Sequence, residues 1–209
     1  MKTKSKKITK KKTPFSKLSK PKKIVAIAKD VLMQIKNRRY IANTGAYITS
    51  IKMNEGYLRD FIDQSIKKNF GKIKKCTVCA MGACLMSITK FENKLNFGEV
   101  GSSASDLDNP KVKELFSSLF TPIQLLLIER AFEGESGGTL VAEQIYDIDE
   151  YESDIKKQVK KCEKFYQRFN KIEEGLDINK RVEQQEKNSE KRLTAIMDNI
   201  IYNKGTFKI

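Results

Sequence analysis

The sequence predicts an all-α fold, a compact bundle of six to seven helices preceded by a disordered, basic N-terminal arm. Three observations carry that expectation. Apolar residues recur at spacings of three and four in segment after segment. Proline follows asparagine or threonine where helix starts favour it. The first 23 residues hold eleven lysines and no acidic residue, a composition that cannot bury enough apolar surface to fold alone.

The arm is Lys2, Lys4, Lys6, Lys7, Lys10, Lys11, Lys12, Lys17, Lys20, Lys22 and Lys23. The net charge of the chain is +15, so these eleven leave +4 for everything else. Such a run repels itself into an extended chain and attracts phosphates. The expected division is an arm over 1–21 and a single helical domain over 22–209. With 39% hydrophobic residues, that domain can build a core.

Pro21 marks the first helix start. Ile24, Val25, Ala28, Val31, Leu32 and Ile35 then share one face, which predicts an amphipathic helix over 22–38. Tyr40 to Ile51 contains Gly45 and several β-branched residues, and reads as a linker or a short hairpin. Leu58, Phe61, Ile62 and Ile66 predict a second helix over roughly 56–69, ended by Gly71. Cys76 to Phe91 is apolar on nearly every face and predicts a central buried helix. Residues 93–109, with Gly98, Gly101 and a serine cluster, are expected to form a polar mobile connector.

Asn109-Pro110 is an N-cap followed by proline, with Leu115, Phe116, Leu119 and Phe120 behind it. Thr121-Pro122 repeats the device, and Gln124 is placed to complete a capping box with Thr121. Ile123, Leu126, Leu127, Ile128, Ala131 and Phe132 follow. Ile155, Val159, Cys162, Tyr166, Phe169 and Ile172 form the stripe of a long helix, ended by Gly175. Leu193, Ile196, Met197, Ile200 and Ile201 define the last helix, which stops at Gly205.

Histidine is absent. That removes the commonest general base and the commonest metal ligand. No dinucleotide-binding glycine motif and no P-loop occur. Cys76, Cys79, Cys84 and Cys162 could supply four thiolates to Zn²⁺. On one continuous helix, however, Cys79 and Cys84 would point about 140° apart. They converge only if the helix begins after Cys79, so buried packing thiols are the expectation. Gly134-Glu135-Ser136-Gly137-Gly138 fits the G-x-S-x-G nucleophile pattern but has no histidine to activate the serine. Glu143, Asp147, Asp149, Glu150, Glu152 and Asp154 match no calcium loop and read as a solvated face. Glu129 and Glu133, four apart beside Arg130, read as surface charges.

Two segments carry a family resemblance. Cys76-Thr-Val-Cys-Ala-Met-Gly-Ala83 and Arg192-Leu-Thr-Ala-Ile-Met-Asp-Asn-Ile-Ile201, closing on Gly205-Thr-Phe207, join the Leu125 to Glu133 helix in about a third of the chain. Together they resemble an uncharacterised group of small helical proteins common in bacteriophage and prophage genomes. The resemblance implies a phage-type accessory protein and brings no activity or functional residue with it.

The functional expectation is therefore a non-enzymatic protein without cofactor or metal. Its arm would bind nucleic acid or another polyanion regardless of sequence. The other reading is a host-takeover or anti-defence inhibitor whose helical body binds a host protein or signalling nucleotide. No apolar stretch is long enough for a transmembrane helix and no apolar signal region follows the lysines. The expected location is the host cytoplasm or a virion.

Overall fold

Eight α-helices and a three-stranded sheet make up the fold among the described residues of the computed structural model, which are 13–101, 109–134 and 153–209. The molecule is mainly helical, but the expectation of a purely helical bundle is corrected by the sheet.

Helix α1 spans Lys20–Lys36 behind Ser19, with Pro21 in its first turn. It buries Ile24, Ile27, Ala28, Val31 and Ile35 and ends where Arg38 takes a φ of 57°. A 3-10 turn over Phe15–Lys17 precedes it, so residues assigned to the arm as far as 21 are folded onto the body from Thr13 onward. Strands β1 (Tyr40–Ala42), β2 (Ile48–Met53) and β3 (Ile73–Val78) form a sheet of order β1-β3-β2. β1 runs parallel to β3 and β2 antiparallel to it.

The stretch between β2 and β3 does not form the single helix expected over 56–69. It is instead a 3-10 turn at Leu58–Phe61, the short helix α2 at Ile66–Asn69 and another 3-10 turn at Phe70–Lys72. Ile62, expected in its apolar stripe, is 44% exposed.

The expected helix over Cys76 to Phe91 is also corrected. Its first three residues finish β3, and helix α3 spans Ala80–Phe91 with Cys79 as its N-cap. Every residue from Ala80 to Thr89 is buried, and α3 packs against α1, α2, β3 and the two helices that follow the connector. Gly82 permits this. A Cβ there would stand 1.6 Å from the carbonyl oxygen of Tyr47.

The first part of the expected mobile connector is packed structure. Helix α4 covers Phe97–Gly101, and Leu95, Phe97 and Val100 are buried. Residues 102–108 lie outside the described residues. Helices α5 (Pro110–Leu119) and α6 (Pro122–Glu133) start on Asn109 and Thr121 as their sequence signals require, and the chain bends by 100° between them. The Thr121 hydroxyl accepts from Gln124 N at 3.3 Å. The reciprocal half of the expected capping box is absent, because the Gln124 amide is bonded to both backbone groups of Phe207, at 3.1 and 2.7 Å.

Helix α7 (Ser153–Phe169) packs against α6, and α8 (Ile178–Tyr202) packs against α1, α6, α7 and β1. The chain then turns at Gly205, φ 101°, where a Cβ would meet the backbone of Pro21 at 2.6 Å. No single described helix is long and apolar enough to cross a membrane.

Candidate polyanion interface

Of the arm lysines, Lys2, Lys4, Lys6, Lys7, Lys10, Lys11 and Lys12 lie outside the described residues. Lys17, Lys20 and Lys22 are exposed where the arm meets α1, and Lys23 is half-buried in an ion pair with Glu92 at 3.5 Å. The positive end of the α1 dipole adds to their field.

Rings and cations alternate behind the arm's base. Lys23 lies over the Phe15 ring at 5.3 Å, and Phe15 stacks on Phe91 with centroids 4.6 Å apart and planes 7° apart. Lys90 lies over Phe91 at 5.8 Å and Phe70 at 5.1 Å, and Arg39 covers Phe70 at 5.5 Å. A cavity of about 610 Å³ opens beside this row, between Phe15, Leu18, Met33 and Phe91. Lys90 is neutralised by buried Asp30, which also accepts from Gln34 at 3.1 Å. The row therefore anchors the arm and adds little net charge.

More unpaired charge lies on the sheet. Ile51 and Met53 on β2 face the core with Ile73 and Cys76 on β3. Opposite residues of an antiparallel pair share a face. Lys52 is thus level with Lys75, and Ser50 with Thr77, on the outward side. The register slips between Ile48/Ser50 and Lys52/Met53 and leave Thr49 and Lys74 as extra, exposed residues of two bulges. The Ser50 hydroxyl donates to Thr77 Oγ1 at 3.1 Å. Lys52, Lys74 and Lys75 are exposed, and none has an acidic partner among the described residues. The strands contain no acidic residue. On the β1 side the face is bordered by α8, where Glu186 and Glu190 line a groove of about 520 Å³ with Arg38 and Ile41.

These sheet lysines are not among the residues that the sequence singles out as an interface. A signal is nonetheless present. Residues 64–91 contain six lysines and no Asp or Glu. Subtracting the arm's charge and treating the rest as uniform conceals it.

The four cysteines are all buried free thiols. The helix does begin after Cys79, the one arrangement that would let Cys79 and Cys84 converge. Even so, the described residues contain no group of three or more side chains able to hold a metal. Cys79 Sγ instead accepts from Gly82 N at 3.5 Å and caps α3. Burial pushes the Cys84 and Cys162 thiols up to about 12 and holds Cys76 and Cys79 well above the usual thiol range. Such thiols are poor nucleophiles.

Glu129 and Glu133 are not surface charges, which corrects the sequence expectation. Glu129 is 6% exposed and accepts from the Tyr47 hydroxyl at 2.7 Å. Glu133 accepts from Gly45 N at 3.0 Å. Burial raises both carboxyls to about 7. Beyond them, Arg192 is 1% exposed, stacked 4.6 Å from the Tyr166 ring and bonded to Asn170 and Ser189. This cluster ties the β1–β2 loop to α6. Ser136 and the acidic residues from Glu143 to Glu152 lie outside the described residues, while Asp154 pairs with Lys157 at 3.4 Å.

Comparison of the chain with family models, curated proteins and solved structures returns no match.

Proposed function

We propose that this protein is a non-enzymatic accessory protein that binds nucleic acid, or another phosphate-rich polyanion, without sequence preference through its N-terminal lysines. One observation carries the reading. Eleven lysines occur before the first acidic residue, Asp30, apart from Lys29 beside it, and toward the end of the run Lys17, just before α1, and Lys20 and Lys22, in its first turn, stand exposed. A phosphate backbone exchanges its condensed counterions for such cations, and that release drives binding. Phe15 is the only aromatic residue in the arm and is occupied with Phe91, so base stacking does not contribute there.

Fluorescence anisotropy with duplexes of arbitrary sequence tests the reading. Binding should be equal across sequences, and a protein neutralising six to ten phosphates should lose roughly 10³ to 10⁵ in affinity between 50 and 200 mM salt. No binding at low salt, or binding unchanged when Lys2, Lys4, Lys6, Lys7, Lys10, Lys11 and Lys12 are replaced by Gln, overturns it.

A further inference from the structure

Beyond the arm, the excess of positive charge is greatest in residues 24–91. Residues 24–91, which include all three strands, hold twelve Lys and Arg against four Asp and Glu, a net +8. Residues 92–209 hold eighteen against twenty-two, a net −4 in sequence; eight of those acidic residues lie outside the described residues, and over the described ones the balance is eighteen against fourteen. Tertiary structure gathers part of the positive excess on one surface, where Lys52 and Lys75 stand directly opposite each other on neighbouring strands. Like charges so placed destabilise a sheet pair, and no carboxylate among the described residues relieves them. Lys74, on the β3 bulge, adds a third cation, and the Ser50–Thr77 pair adds hydroxyls on the next row.

We propose that the outward face of β2 and β3 is a second nucleic-acid contact, borne by the body, which takes the phosphate backbone of a duplex. The proposal rests on the polyanion reading of the arm and extends it to a site the arm does not contain. Lysines and hydroxyls are the groups that contact phosphate oxygens and fix position on a duplex. The strands offer no aromatic residue to that face, since Tyr40, their only one, is buried. A single strand would find no platform for its bases there. Along β3, Lys75 and Thr77 are two residues apart, about 6.6 Å at the usual strand rise, so both can meet one backbone. Beside β1 the charges are mixed, with Glu190 paired to Arg38 at 2.8 Å and Glu186 next to Lys187, so the unpaired positive charge of the face lies on the β2–β3 side. Arm and face lie on one chain, so engagement of either raises the effective concentration of the other.

The test uses the full chain in three forms and anisotropy with duplex DNA, duplex RNA and single-stranded DNA of arbitrary sequence. The forms are the natural sequence, K52Q/K74Q/K75Q, and the sevenfold Lys→Gln arm variant over residues 2–12. The sheet variant should bind duplex about tenfold or more weakly and lower the salt slope by about 2 to 3, near 0.9 for each phosphate left without its cation. It should change single-strand binding much less. K52R/K74R/K75R keeps the charge and should bind as the natural chain does, and matched circular dichroism spectra check that the Gln variant is folded. Equal duplex affinity in the natural and sheet-variant chains overturns the second contact while leaving the arm reading intact. Equal affinity in the natural and arm-variant chains, with weaker binding by the sheet variant, overturns the arm reading and supports the face. Absence of binding by the natural chain overturns both.

Discussion

Tyr47 donates its hydroxyl to Glu129 across 82 residues of chain, at 2.7 Å. The contact is buried, and beside it Gly45 N donates to Glu133. Two residues of the β1–β2 loop are thereby held by two carboxylates one helical turn apart on α6. A buried acceptor that loses its donor keeps the cost of desolvation. Tyr47→Phe should destabilise the fold by about 1 to 3 kcal/mol in urea denaturation. A loss within a few tenths would show that the bond contributes nothing net.

The same carboxylates give stability a pH dependence of defined sign. Burial, the largest cause in each case, raises Glu129 and Glu133 from an ordinary 4.5 to about 7. The native state therefore binds their protons more tightly than the unfolded chain does. Their contribution is present in full below about pH 4.5 and is lost as pH rises through about 7. Denaturation midpoints should fall between pH 5 and 8, and E129Q/E133Q should flatten that decline. A midpoint that rises over this range contradicts the assignment.

Gly82→Ala should be among the most damaging single changes in the chain. The added Cβ would overlap the Tyr47 carbonyl group, with the oxygen 1.6 Å and the carbon 2.4 Å away, and backbone cannot swing aside as a flexible side chain can. The expected cost is about 3 kcal/mol or more, read as loss of soluble protein or a large fall in melting temperature.

Native protein should react with a disulfide reagent such as DTNB only as fast as it opens. All four thiols are buried, and their thiolate forms are suppressed at neutral pH. Urea should release four equivalents. Rapid labelling of even one thiol in the native state would refute this.

Phe15→Ala should loosen the junction between arm and body. It removes a stacked ring and the contact with Lys23, together worth about 1 to 2 kcal/mol. Trypsin cleavage after Lys17 should accelerate up to about tenfold while the global melting temperature moves little. Unchanged cleavage would place the anchor elsewhere.

The sequence by itself determined the local features. Asn109-Pro110 and Thr121-Pro122 start α5 and α6 because a cap and a proline act within one turn. Ile24 to Ile35 select the buried face of α1, and Leu193 to Ile200 that of α8, because helical periodicity is a short-range signal. The acid-free lysine run is legible for the same reason. Tertiary structure alone decided that Ile73 to Val78 is a strand, since its partners lie about 20 to 36 residues earlier and bulges at Thr49 and Lys74 break the alternation that would announce it. It decided that Glu129 is buried, because the donor that makes burial tolerable comes from Tyr47 on a distant loop. It also set Lys52 opposite Lys75, turning scattered lysines into one charged surface. A strand has no partner until the chain returns to it, and a charge has no neighbours until the fold supplies them.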